Sequence, residues 1–89
     1  PLARRHMFEL RNQFAKHEIQ VANYYLEREA YVAAANRASY VVQHFQSSPL
    51  VADALIILIK ANKAMGLEKA ADDARRVLQL NYPNSAAQA

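Results

Sequence analysis

The chain has 89 residues, 53% hydrophobic and 21% charged, with a formal net charge of +3, one glycine, three prolines and no cysteine. That length holds one small domain at most; the lack of cysteine excludes disulfides and thiolate metal sites, and so little Gly and Pro argues against a β-rich or loop-rich fold. Acids and bases interleave, and the one local excess, Arg4, Arg5 and Arg11 with Lys16, reads first as a solvated helix face and only second as a nucleic-acid or lipid-headgroup patch.

Pro1 stands where an initiator methionine would, and uncapped helix-forming sequence follows at once, which reads as a piece of a longer chain. From Leu2 to Arg28 no Gly or Pro intervenes. Met7, Leu10, Phe14, Val21 and Tyr24 or Tyr25 recur at steps of three and four, so the spacing predicts a long first helix with that stripe inward. Phe8, Ala15 and Ala22 add a narrower second stripe, predicting neighbours on two sides. A faintly marked turn at Glu29-Ala30 leads into a second helix, Tyr31 to His44, with Tyr31, Ala34, Ala35, Ala38, Val41, Val42 and Phe45 inward. Its alanines allow close approach to the first helix, which makes hairpin one, about residues 2–45.

Ser47-Ser48-Pro49 punctuates: the Ser48 hydroxyl is suited to capping and Pro49 to the first helical position. The third helix is predicted from Pro49 to about Met65, with Val51, Ala54, Leu55, Leu58 and Met65 inward. Leu55 to Ile59 taken alone reads as a strand, but its neighbours keep helical spacing and nothing is present to pair with it. The apolar run Ala54 to Ile59 is far short of the roughly 20 residues a bilayer span needs. Gly66 ends this helix, and Leu67 to Leu80 is the fourth, with Leu67, Ala70, Ala71, Ala74, Val77 and Leu78 inward. Hairpin two thus covers about residues 49–81, Asn81-Tyr82-Pro83-Asn84 closes it, and residues 84–89 are expected to be a disordered tail.

The second and fourth helices repeat each other 36 residues apart, with alanines paired at 34/70, 35/71 and 38/74 and further matches at 31/67, 41/77, 42/78 and 43/79. A period of 34 to 36 with small residues at the crossing belongs to helical hairpins of the tetratricopeptide class. The expected fold is all-α: two stacked tetratricopeptide-like hairpins, four helices in all, a fragment of an α-solenoid over residues 1–83. Such arrays present surfaces to other proteins.

Chemistry finds little support. His6, His17 and His44 include no i, i+4 pair, and His17-Glu18 opens like a zinc-protease motif but has Val21 where the second histidine is required. Asp72 and Asp73 point about 100° apart on a helix and are better placed to pair with Arg75 and Arg76. There is no glycine-rich phosphate loop and no serine with glycine flanks. No enzyme, cofactor or metal is expected. Tyr24, Tyr25 and Tyr31 cluster at the first turn, where core packing is the default, whereas Tyr40 lies off the inward stripe beside Arg37 and is expected to be exposed.

Three segments carry a more specific likeness: Leu10 to Glu18 (LRNQFAKHE), Val21 to Arg28 (VANYYLER) and Ala30 to Arg37 (AYVAAANR). With Ala70 to Leu78 (AADDARRVL) and Asn81-Tyr82-Pro83, they resemble the C-terminal repeats of the BamD family, the tetratricopeptide lipoproteins of the bacterial outer-membrane β-barrel assembly (BAM) machine. The likeness covers about residues 4–83; Glu29 departs from the family's usual glycine. The resemblance implies a scaffold at the periplasmic face of the outer membrane, anchored by an N-terminal lipid of the parent lipoprotein. It also implies docking of these repeats onto the membrane-proximal POTRA domain of BamA, close to other BAM subunits such as BamE. By match to the family's Asn-Arg pair, Arg37 is the residue expected to bind an acidic group on that domain, since a guanidinium takes a carboxylate bidentately. Asn36, Arg28, Tyr31 and Tyr40 follow by proximity. A generic tetratricopeptide peptide-binding module is the alternative, gripping a peptide in its concave groove with Asn12, Lys16, Asn23, Lys60, Asn62 and Lys63. A small nucleic-acid binder, suggested by the pI near 9.5, is a third reading, and its binding would weaken steeply with salt.

Overall fold

The computed structural model describes residues 2–46 and 48–86, and side chains at 10–46 and 48–84. In chain order the elements are α1 (Leu2–Glu27), α2 (Tyr31–His44), α3 (Val51–Ala64), α4 (Glu68–Asn81) and a single turn, α5 (Pro83–Ala86). No strand occurs among the described residues, and Leu55 to Ile59 lies within α3. Consecutive helices pack on one another and α1 also touches α3, so two hairpins stack into an all-α, tetratricopeptide-like unit of 46 × 28 × 19 Å. No described helix is long and apolar enough to cross a membrane.

Both hairpin turns use the same C-terminal device. In the first, the Ala30 N–H donates to the Tyr25 carbonyl (2.9 Å) and the Glu29 N–H to the Leu26 carbonyl (3.1 Å). In the second, Leu67 donates to Asn62 (2.8 Å) and Gly66 to Lys63 (3.0 Å). This is the Schellman pattern, which needs a left-handed residue at its first position past the helix; Glu29 has φ 63° and Gly66 φ 76°. The following residues, Ala30 and Leu67, share one backbone conformation (φ −86°, ψ 71° and φ −92°, ψ 72°). Helices α2 and α4 therefore begin and end 37 residues apart, one more than the alanine matches predict. In the 37-residue register alanines of α2 and α4 pair only at 33/70 and 34/71 while Ala38 aligns with Arg75, so the caps, not the alanines, fix the structural period.

Between hairpins, Ser48 is buried. Its hydroxyl accepts the Leu50 N–H (3.2 Å) and donates to the Asn12 side-chain oxygen of α1 (3.3 Å). The bond to Leu50 precedes α3 rather than capping it: regular helix starts at Val51, not Pro49, its N-cap residue Leu50 has no side-chain cap bond, and the Val51 N–H closes a tighter turn onto the Ser48 carbonyl (3.2 Å). Ser47 lies outside the described residues. At the far end Pro83 opens α5, so Asn84 to Ala86 are helical where a tail is expected from residue 84; residues 87–89 lie outside the described residues.

Helix α2 buries Ala34, Ala38, Val41 and the flanking Phe45, with Tyr31, Ala35 and Val42 partly covered, as its periodicity predicts. Helix α1 reverses its predicted order. Among its described side chains the buried residues are Ala15, Glu18, Ile19 and Ala22, whereas Leu10, Phe14 and Tyr24 are about half exposed. The small-residue stripe wins because α2 also presents alanines, and alanine against alanine brings two backbones close. Of the larger stripe, Val21 and Tyr25 are partly covered, Tyr25 against the first core cluster, while Leu10, Phe14 and Tyr24 are left outside that contact. Met7 and Phe8 lie outside the residues whose side chains are described.

Helix α3 is covered on nearly every side, burying Val51, Ala52, Ala54, Leu55, Ile57, Ile59 and Ala61. It contributes to both core clusters, Ala54, Ile57 and Ala61 to the one with α1 and α2, and Val51, Ala52, Leu55 and Ile59 to the one with Ala74 and Leu78 of α4. Its unbroken apolar run follows from that double packing. Helix α4 has α3 as its main neighbour, and its inward face narrows to Ala71, Ala74 and Leu78. Leu67, Ala70 and Val77, predicted inward, are exposed.

Candidate protein-docking site on the first hairpin

Phe14 and Glu18 stand one turn apart on α1, and Asn36, Arg37 and Tyr40 occupy one turn of α2. The hairpin brings these five side chains around an open hollow of about 370 Å³. At its base the Arg37 Nη1 donates to Glu18 Oε2 at 2.9 Å. The pair is asymmetric: the Glu18 side chain is 8% exposed and that of Arg37 47%. A carboxylate this buried is costly unless paired, and Arg37 is the partner the fold supplies. In return, the hydrogen bond from Arg37 to Glu18, reinforced by the attraction between their charges, raises the guanidinium pKa above its already high ordinary value.

Aromatic side chains build the rim. Phe14 stacks on Phe45 (centroids 5.7 Å apart), and Tyr40 lies against His44 (4.3 Å) and near Phe45 (6.2 Å). Arg11 sits over the Phe45 ring at 5.3 Å and donates from Nη2 to the His44 carbonyl at 2.9 Å. That bond satisfies an end carbonyl of α2 with a cation, the charge a helix C-terminus favours. Tyr40 is exposed, as its place off the stripe predicts. The hollow is thus walled by the aromatic Phe14 and Tyr40, with one acid, Glu18, already neutralised by Arg37.

Three of the five residues expected at an interface, Asn36, Arg37 and Tyr40, come together here. Arg28 and Tyr31 do not line this hollow: Arg28 lies over the Tyr24 ring (4.5 Å) at the hairpin turn, and Tyr31 is half-buried against the first core cluster. Sequence reading misses Glu18 and assigns Phe14 to the core. Glu18 leaves a trace, being the one charged residue on the stripe that runs through Ala15, Ile19 and Ala22, a position that requires a counter-charge.

Other candidates disperse. Asn12 is engaged by Ser48, while Asn23 and Lys60 edge a separate hollow of about 330 Å³ with Asp53 over Ile19, Ile56 and Ile57. Of the basic group, Arg11 is held by His44 and Phe45, and the side chains of Arg4 and Arg5 lie outside those described. Asp72 pairs with Arg75 at 3.4 Å on a wet surface. No group of three metal-binding side chains gathers among the described residues.

The sequence matches the YfiO family, described as outer membrane lipoprotein, over residues 2–78. It is 45% identical over 82 residues to outer membrane protein assembly factor BamD of Xylella fastidiosa (strain Temecula1 / ATCC 700964), covering 92% of this chain and 28% of that protein. It is 40% identical over 79 residues to BamD of Neisseria meningitidis serogroup A, covering 89% of this chain and 30% of the relative. To BamD of Vibrio cholerae it is 33% identical over 79 residues, covering 89% and 33%. The chain spans about a third or less of the length of these relatives.

Proposed function

The chain belongs to the YfiO family of outer membrane lipoproteins, and from that premise we propose that it is a non-catalytic docking scaffold in outer-membrane β-barrel assembly, acting at the periplasmic face of the outer membrane. Its relatives' name, outer membrane protein assembly factor, supports the process. Its partner is the membrane-proximal POTRA domain of BamA, with other BAM subunits close by. The contact runs through the hollow of the first hairpin, where Arg37 takes an acidic group of that domain and Asn36 and Tyr40 frame it.

One observation carries this reading: a half-exposed guanidinium, fixed at one nitrogen, stands in an open hollow beside Asn36 and exposed aromatic rings. Arginine and aromatic side chains in such settings are the commonest energetic anchors of protein interfaces. The test is capture of a BamA POTRA domain by this chain and by a folded Arg37→Glu variant. Charge reversal is expected to weaken capture at least tenfold; equal capture by both sinks the reading.

The hollow edged by Asn23, Asp53 and Lys60 over three isoleucines supports a second reading, a peptide-binding module that takes an extended or helical segment between α1 and α3. Titration with fluorescent C-terminal peptides of β-barrel proteins separates the two, since saturable peptide binding lost on Lys60→Glu but kept in Arg37→Glu belongs to the groove.

A further inference from the structure

We propose that Glu18 is the positioning residue for docking: it holds one nitrogen of Arg37 so that the rest of the guanidinium is presented to a carboxylate of the partner. The inference rests on the docking reading above and adds to it a residue that touches no partner.

Three observations converge. First, Glu18 occupies a stripe whose other members, Ala15, Ile19 and Ala22, are apolar and buried, so packing alone favours an apolar side chain there. A carboxylate on that stripe requires a reason beyond packing, and its one hydrogen-bonded partner among the described residues is Arg37. Second, the bond is single, Nη1 to Oε2, and a guanidinium carries five N–H donors in a fixed fork. The donors not used by Glu18 belong to a side chain that stays 47% exposed, enough for a second, bidentate carboxylate. Third, Phe14 and Tyr40 wall the hollow on the α1 and α2 sides, which narrows the directions the arginine stem can take.

The physical consequence concerns when the arginine is ordered. An unanchored arginine on a helix surface loses its rotamer freedom on binding, which subtracts from affinity. Anchored on Glu18, it loses that freedom on folding. Glu18 also offsets part of the charge that attracts the partner, so its contribution is orientation rather than field. This separates positioning from competition: a competing Glu18 would make every neutral substitution bind tighter.

The experiment is a binding titration of a BamA POTRA domain with this chain and with Glu18→Leu, Glu18→Gln, Glu18→Asp, Arg37→Ala and Glu18→Leu/Arg37→Ala. Circular dichroism melts show which variants are folded at the assay temperature. Glu18→Leu, which removes the acceptor, is expected to weaken binding about tenfold. Glu18→Gln, which keeps an oxygen acceptor at the same reach, stays within about threefold of the parent. Glu18→Asp, the change gentlest to the fold, keeps the charge but draws the carboxylate back and weakens binding more than Gln does. In the Arg37→Ala background Glu18→Leu has no further effect. Equal losses from Glu18→Leu with and without Arg37, or tighter binding by Glu18→Gln, overturn the positioning role while leaving the docking reading intact. If Arg37→Ala itself binds as well as the parent, the docking reading has failed and the role of Glu18 falls with it.

Discussion

Glu29 and Gly66 occupy the same place in successive hairpins, each the left-handed residue of a Schellman turn (φ 63° and 76°) and each followed by the residue that leads into the second helix of its hairpin. Only one of them is the residue that geometry favours. A non-glycine side chain in the left-handed region costs roughly 1–2 kcal/mol, so the first hairpin closes under local strain that the second avoids. The turn that positions α2, and with it Asn36, Arg37 and Tyr40, is thus the strained one.

Glu29→Gly is expected to stabilise the chain by about 0.5–1 kcal/mol, the relief of that strain less the extra unfolded-state entropy of glycine. The reciprocal change, Gly66→Ala, meets no atom within 4 Å of the added methyl and costs about 1 kcal/mol through backbone strain alone. Urea midpoints of the two variants should move in opposite directions. A loss of stability in Glu29→Gly means that the Glu29 side chain makes a compensating interaction in solution.

Ser48 ties the entry of α3 to α1 through one hydroxyl, which accepts the Leu50 N–H just ahead of α3 and donates to Asn12 on α1. Ser48→Ala removes both part-buried bonds and leaves the Asn12 amide oxygen and the Leu50 N–H short of a partner, an expected cost of about 1–2 kcal/mol. Ser48→Thr keeps the hydroxyl and is expected to retain most of that stability. Equal thermal midpoints for the Ala variant and the parent count against a structural role for these two bonds.

Much of this fold is legible in the sequence because α2 and α3 have neighbours on two sides, so every apolar position on their stripes finds a cover. Ala34, Ala38 and Val41 are read correctly for that reason. Where a helix has one main neighbour the reading overshoots: Leu67 and Val77 share the stripe of Leu78 and remain exposed. The α1 stripes are ranked wrongly because hydrophobicity favours Leu10 and Phe14, while contact with an alanine-lined partner selects Ala15 and Ala22. At the candidate site, the exposure of Arg37 and Tyr40 is local information that helical phase contains. The pairing of Arg37 with Glu18, 19 residues away, depends on the register of two helices, which their phases alone do not fix.

Leu78 is fully buried in the second core cluster, between α3 and α4. Leu78→Ala is expected to cost about 2–5 kcal/mol, against a total stability on the order of 4–13 kcal/mol for a domain of this length. The variant should lose a large part of its cooperative melt, and amide exchange should rise in α4 before α1. Exchange rising first in α1 would mean that the hairpins do not pack in the order of the chain.

The unequal burial of Arg37 and Glu18 makes their removal unequal. Truncating Glu18 to Leu frees an arginine that already reaches water, a mild change for folding. Truncating Arg37 to Leu strands a carboxylate whose side chain is 8% exposed, and a buried charge without its partner is strongly unfavourable. Arg37→Leu is therefore expected to have the lower thermal midpoint of the two, with the double variant above it. In the parent the guanidinium pKa is raised, so the stability from that shift is fully present below the unfolded value and is lost only as pH rises through the still higher folded value, in strongly alkaline solution. Thermal midpoints of the three variants at neutral pH decide the matter: equal values for Arg37→Leu and Glu18→Leu mean that Glu18 has found water or another cation, and that the pair is not what keeps its charge buried.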